Sequence, residues 1–197
     1  MSNKSTKISF ILASKSPRRK KLLASAGYKF EVICSKIDES TFSIEGLSSV
    51  EHAQQLALAK ANDVAFRYPE RYVLGADTVV DFGGVIIGKP RDAVDAERIT
   101  RMLFSGSHKV ITGVGVVKIS AGIELVRSEV TIVYPNKLTE SQIKWHIDSG
   151  NWRGKAGAYG IQEAGDAFID KIEGSFTNVI GLPMELVGEM FCGLDCG

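Results

Sequence analysis

The sequence predicts an α/β protein built on a long mixed β-sheet. A short apolar strand near the start runs straight into a helix, two later strand pairs are joined by tight glycine-containing turns, and capped helices recur between strands. Antiparallel hairpins are as prominent as β–α units, which argues against a purely parallel, doubly wound sheet.

Ile8, Phe10, Ile11 and Leu12 read as the first strand. Ser16-Pro17 reads as an N-cap followed by proline at the first helical position. Leu22, Leu23 and Ala26 then recur on one helical face, and Gly27 stops the helix. Phe30 to Ser35 alternates like a strand and leads into a polar loop. A long helix is expected from about Val50 to Phe66. From Tyr72 the chain reads as a strand with a kink at Gly75 to Asp77, then a hairpin closed by Gly83-Gly84. Asp92 opens a helix to about Phe104. Two long strands follow, joined at Ala121-Gly122. Thr139 caps a helix holding Glu140 to Ile147, Ala167 to Ser175 forms a late strand, and Pro183 starts a closing helix.

The 197 residues are 44% hydrophobic and 24% charged, the balance of an ordinary globular chain. Residues 1–7 are expected to form a disordered tail and residues 8–197 a single domain. A net charge of +1 gives no global field for a nucleic acid or an anionic membrane, so neither partner is expected. Cys34, Cys192 and Cys196 suit reduced thiols in a cytoplasm, and Cys192 and Cys196 lack two further ligands at zinc spacing.

The chemistry starts at the first helix. A helix N-terminus already carries positive charge, yet Lys15, Arg18, Arg19, Lys20 and Lys21 crowd around it. An anion, naturally a phosphate, would relieve that cost. Neither a Gly-x-Gly-x-x-Gly turn nor a Walker loop is present. Asp77 lies inside an apolar run, where a carboxylate must be paired or bind a metal, unless it marks a bend. With Asp38 and Glu39 it could supply oxygen ligands to magnesium. Pro90 holds Lys89 extended beside a helix start, and Lys60 lies within its helix. Gly154 to Gly165 holds four glycines and three alanines, with Lys155, Tyr159 and Gln162 among its large polar side chains. Such a loop lets backbone approach a ligand, and Gln162 could pair with a base edge. His108 is isolated, so a nucleophilic triad has no support.

"LASKSPRRKKLL", "GADTVV", "GKPRD", "SGSHKVITGV", "KAGAYGIQ" and "GSFTNVIGLP" occur in that order between Leu12 and Pro183. This succession resembles the Maf family of nucleoside triphosphate pyrophosphatases. The resemblance implies an elongated fold like that of the inosine triphosphatases, with two lobes around a cleft and the possibility of a homodimer. It implies hydrolysis of a nucleoside triphosphate to monophosphate and pyrophosphate with a divalent cation, Mg2+ or Mn2+. Carried over by motif, Ser14, Arg18, Arg19, Lys60 and Lys89 bind substrate, Glu39 and Asp77 hold metal, and Asp77 is the proton acceptor. Arg18, Thr78 and Gln162 match positions tied to base choice in the branch acting on dTTP and UTP. Here "SGNWRGKAG" departs from the family pattern, placing Trp152 and Arg153 where they would reshape the base-side wall. Two other readings fit the residues alone: a non-enzymatic nucleotide- or nucleic-acid-binding regulator, for instance of cell division, and attack at the γ-phosphorus.

Overall fold

The computed structural model describes residues 8–43, 45–160 and 168–195. The expected tail, residues 1–7, lies outside them, as do Gln162 and Cys196. The elements are β1 (Phe10–Leu12), α1 (Pro17–Ser25), β2 (Phe30–Val32), α2 (Ser49–Ala65), β3 (Tyr72–Phe82), β4 (Val85–Ile87) and α3 (Ala93–Leu103). They continue with β5 (His108–Lys118), β6 (Ile123–Pro135), α4 (Glu140–Ser149), β7 (Ile169–Glu173), α5 (Phe176–Ile180) and α6 (Met184–Asp195). No helix among the described residues is long and apolar enough to cross a membrane.

The mixed sheet is the expected one. Its order is β2-β1-β3-β5-β6-β7, with β4 also on β3. β1 runs parallel to β2 and β3, and the remaining pairs are antiparallel. The expected caps form: Ser16, Asp92 and Thr139 each accept a hydrogen bond from the first turn of their helix. Ser48 does the same for α2 in a reciprocal box with Glu51. β2 stops at Val32, short of the Ser35 to which the alternation extends, and the five-residue α5 adds a helix that no periodicity in the sequence marks.

The kink expected at Gly75 to Asp77 is absent, because β3 runs unbroken through it in continuous register with β5. The glycines serve close packing instead. A Cβ at Gly75 would lie 2.2 Å from the Ala57 carbonyl oxygen, and one at Gly113 would lie 2.2 Å from that of Ala53. Gly75 pairs across the strands with Gly115, and Asp77 pairs with Gly113. Helix α2 therefore rests its small residues Ala53, Ala57 and Ala61, spaced four apart, on bare strand backbone.

Two large cores lie along β3 and β5. One gathers Phe10, Leu12, Leu74, Ala76, Val114 and Val116 under α6, and the other gathers Val80, Leu103, Phe104, Val110 and Trp152. Between them β3 carries Asp77 and Thr78, and β5 carries Thr112. This polar gap between two apolar cores is where the cleft opens.

Candidate active site

β5 occupies one edge of β3 from Val73 to Asp81. On the other edge β1 pairs with Tyr72 to Leu74, and β4 pairs with Val80 to Phe82. Residues 75–79 are left without a strand partner on that side, and a cleft of about 390 Å³ opens there. Alternation along the strand directs Asp77 to the α2 face and Thr78 to the opposite one.

The start of α1 forms one wall. Of the five clustered cations only Lys15, Arg18 and Arg19 line the cleft, whereas Lys20 and Lys21 are exposed on the helix's outer side. Crowding at the helix end is therefore only partly a site feature. Arg19 is buried and engaged with the protein. Its Nε donates to the Gly181 carbonyl at 2.7 Å, Nη1 to Ser14 Oγ at 3.1 Å and to the Ala76 carbonyl at 2.9 Å, and Nη2 to Thr78 Oγ1 at 3.0 Å. The guanidinium thus satisfies a strand carbonyl that no neighbouring strand reaches. Burial pushes its pKa down, while Asp77 pushes it back up. Arg18, half-buried, donates Nε to the Ile180 carbonyl at 3.2 Å. Thr78 Oγ1 lies 2.9 Å from Thr112 Oγ1, so its hydroxyl belongs to the same network.

The opposite wall is a chain of alternating charges. Lys60 Nζ lies 2.5 Å from Asp77 Oδ1 and 2.8 Å from Glu39 Oε1, and Lys89 Nζ lies 3.0 Å from Glu39 Oε2. Lys60 and Asp77 are buried, and Glu39 and Lys89 reach solvent. Burial opposes ionisation of Glu39, but hydrogen bonds and charge from Lys60 and Lys89 outweigh it and hold its pKa at about 2. The glycine seam makes this possible, since α2 sits close enough to the sheet for Lys60 to reach Asp77.

Beyond the charges the cleft is lined by Val80, Val110, Val179 and Tyr159, with Lys155 beside them. The Lys155 ammonium donates to the Asn151 carbonyl. Tyr159 Oη is 2.6 Å from His108 Nε2, and both groups are buried. Burial raises the tyrosine pKa and lowers that of His108 to about 4, so the imidazole is neutral at neutral pH. His108 is therefore not isolated: it supports a cleft-lining tyrosine, a pairing across 51 residues that no local motif signals. Trp152 departs from its expected place, packing into the core with Nε1 donating to the Ile147 carbonyl, and Arg153 lies over its ring.

Glu39 and Asp77 are thus brought together, whereas Asp38 is not among the lining residues. Among the described residues no group of three His, Cys, Asp or Glu side chains could hold an ion unaided. Two carboxylates facing an open cleft fit a hard cation that completes its shell with water and phosphate oxygens. They do not fit a closed structural site.

A family model described as Maf-like protein matches residues 9–194. A dTTP/UTP pyrophosphatase of Symbiobacterium thermophilum is 43% identical over 180 residues, covering 91% of this chain and 91% of its own. One of Elusimicrobium minutum is 44% identical over 180 residues, covering 91% of this chain and 95% of its own. One of Bdellovibrio bacteriovorus is 42% identical over 186 residues, covering 92% and 96%. With its six motifs in order and the family model matched across nearly its whole length, the chain belongs to the Maf family.

Proposed function

We propose that the protein hydrolyses nucleoside 5′-triphosphates, dTTP and UTP foremost, to the nucleoside monophosphate and pyrophosphate. The observation that carries this reading is the facing of the α1 start, with Arg18 and Lys15, by the Glu39–Lys60–Asp77 chain across one cleft. Cations beside a helix N-terminus suit phosphates, and carboxylates among them suit a divalent ion and a water to be activated.

In this reading the triphosphate lies along the start of α1. Arg18, Lys15, Lys60 and Lys89 neutralise it, and Arg19 positions Ser14 and the strand edge rather than meeting phosphate with its full fork. Glu39 and Asp77 would hold Mg2+ or Mn2+, which when bound would draw charge from the phosphate oxygens. Asp77 orients the attacking water and accepts its proton. Attack in line at the α-phosphorus releases pyrophosphate, whose charge the lysines absorb. The base lies toward Val80, Val110 and Tyr159, with Arg18, Thr78 and Gln162 setting its identity. The enzyme works in the cytoplasm, where its thiols stay reduced, without a nucleic-acid partner.

Product separation from a panel of nucleoside triphosphates with Mg2+ or Mn2+ tests this. Monophosphate and pyrophosphate, fastest from dTTP or UTP, are expected, with Asp77→Asn slower by about 100-fold or more. Nucleoside diphosphate would place attack at the γ-phosphorus, and binding without turnover would favour a regulator.

A further inference from the structure

We infer that Lys60 is a stand-in cation: its ammonium holds the Glu39 and Asp77 carboxylates together in the free protein and keeps a divalent ion from binding there until a nucleotide arrives. The inference rests on the assignment of those carboxylates as metal ligands, and goes further by giving Lys60 a role before substrate binds.

Geometry supplies the first support. Nζ lies 2.8 Å from one carboxylate and 2.5 Å from the other, so one ammonium links both. A hard ion bonded to the same oxygens at about 2.1 Å could stand no farther than about 5 Å from that ammonium. The side chains of Lys60 and Asp77 are only 9% and 10% exposed, so water screens such a repulsion weakly. Charge balance supplies the second support. Lys60 and Lys89 already match Glu39 and Asp77, and Arg18 and Lys15 stand across the cleft. A bare divalent ion therefore meets a neutral or positive site, whereas a triphosphate brings the negative charge that holds both metal and lysine. Phosphate oxygens also give the Lys60 ammonium a new partner, so it can leave the carboxylates without being stranded.

Binding is thus ordered: the ion enters with the nucleotide, and Lys60 passes from carboxylate to phosphate as it does so. The free enzyme avoids sequestering metal that has no substrate.

The test is Mn2+ uptake by the full-length protein without nucleotide, read from the electron paramagnetic resonance signal of the free ion. Wild type is expected to leave that signal unchanged. Lys60→Gln, which keeps hydrogen-bonding capacity and removes the charge, is expected to take up one Mn2+ per chain at least about tenfold more tightly. Lys60→Arg, which keeps the charge, should resemble wild type, and adding Glu39→Gln to Lys60→Gln should abolish the gain. Stoichiometric uptake by wild type as tight as by Lys60→Gln would overturn the inference, as would no gain in a folded Lys60→Gln protein. Should Lys60→Gln not fold, the wild-type measurement still decides: loss of free-ion signal beyond that in a protein-free control of Mn2+ and a non-hydrolysable UTP analogue, seen only when the analogue is present, supports ordered entry, and uptake without the analogue refutes it. None of these readouts depends on turnover. A protein that hydrolyses no nucleotide defeats the proposed function, whereas Mn2+ uptake by nucleotide-free wild type defeats only the role of Lys60.

Discussion

Behind β3, helix α2 lies against bare backbone at Gly75 and Gly113, whereas along the open edge of the same strand Arg19 reaches the Ala76 carbonyl and the Thr78 hydroxyl. Both supports fix the middle of β3, one by shape and the other by hydrogen bonds. The seam tolerates no added atom, because its neighbours are backbone that cannot swing aside. The guanidinium tolerates some change of shape but no loss of donors, because the Ala76 carbonyl it serves has no neighbouring strand to replace it. The seam therefore sets how near Lys60 comes to Asp77, and Arg19 sets how Ser14, Thr78 and Gly181 are arranged around the start of α1.

Substitutions can separate the two supports, beginning with the seam. Gly75→Val drives a side chain into the Ala57 carbonyl and is expected to cost about 4 kcal/mol, read as a fall in the denaturant midpoint. A near-wild-type midpoint would show that α2 can lift from the sheet. Arg19→Met leaves the Gly181 and Ala76 carbonyls and the Thr78 hydroxyl short of a donor, for about 3 kcal/mol, with Arg19→Lys recovering part of it. If Arg19→Met loses turnover while its stability holds, Arg19 serves substrate rather than the strand edge. Arg18→Ala should do the opposite of its neighbour: stability within about 0.5 kcal/mol of wild type, and kcat/KM lower by about 100-fold.

The smallest effect is one of pH. The Glu39 carboxyl is held at about 2 in the folded chain against an ordinary 4.5. Its contribution to stability is complete above 4.5 and is lost as pH falls through that window toward about 2. Glu39→Gln should flatten the slope of stability against pH between those values, and an unchanged slope would mean the lysines do not hold that carboxylate.

Much of this was legible in the sequence. The Ser16-Pro17 start, the hairpins and the capped helices follow from local rules of backbone geometry and capping, and they appear where expected. Asp77 was legible because a carboxylate in an apolar run demands a partner, but its pairing with Lys60 was not, since a lysine within a helix looks like any other and the family resemblance marks it only as a substrate-binding lysine. Gly75 suggested a bend, while its meaning depended on Ala57 and Gly115, distant in the chain and adjacent only after folding. Arg18 and Arg19 are indistinguishable as text. Only folding buries Arg19 against the Ala76 and Gly181 carbonyls and leaves its cleft-lining neighbour Arg18 half-buried.

The most direct measurement is where solvent oxygen goes when UTP or dTTP is hydrolysed in 18O-water. Attack at the α-phosphorus places one 18O in the nucleoside monophosphate and leaves pyrophosphate unlabelled, with the same label pattern at a far lower rate in Asp77→Asn. Label in pyrophosphate, or a nucleoside diphosphate among the products, would contradict the geometry assigned to Asp77 and to the cleft.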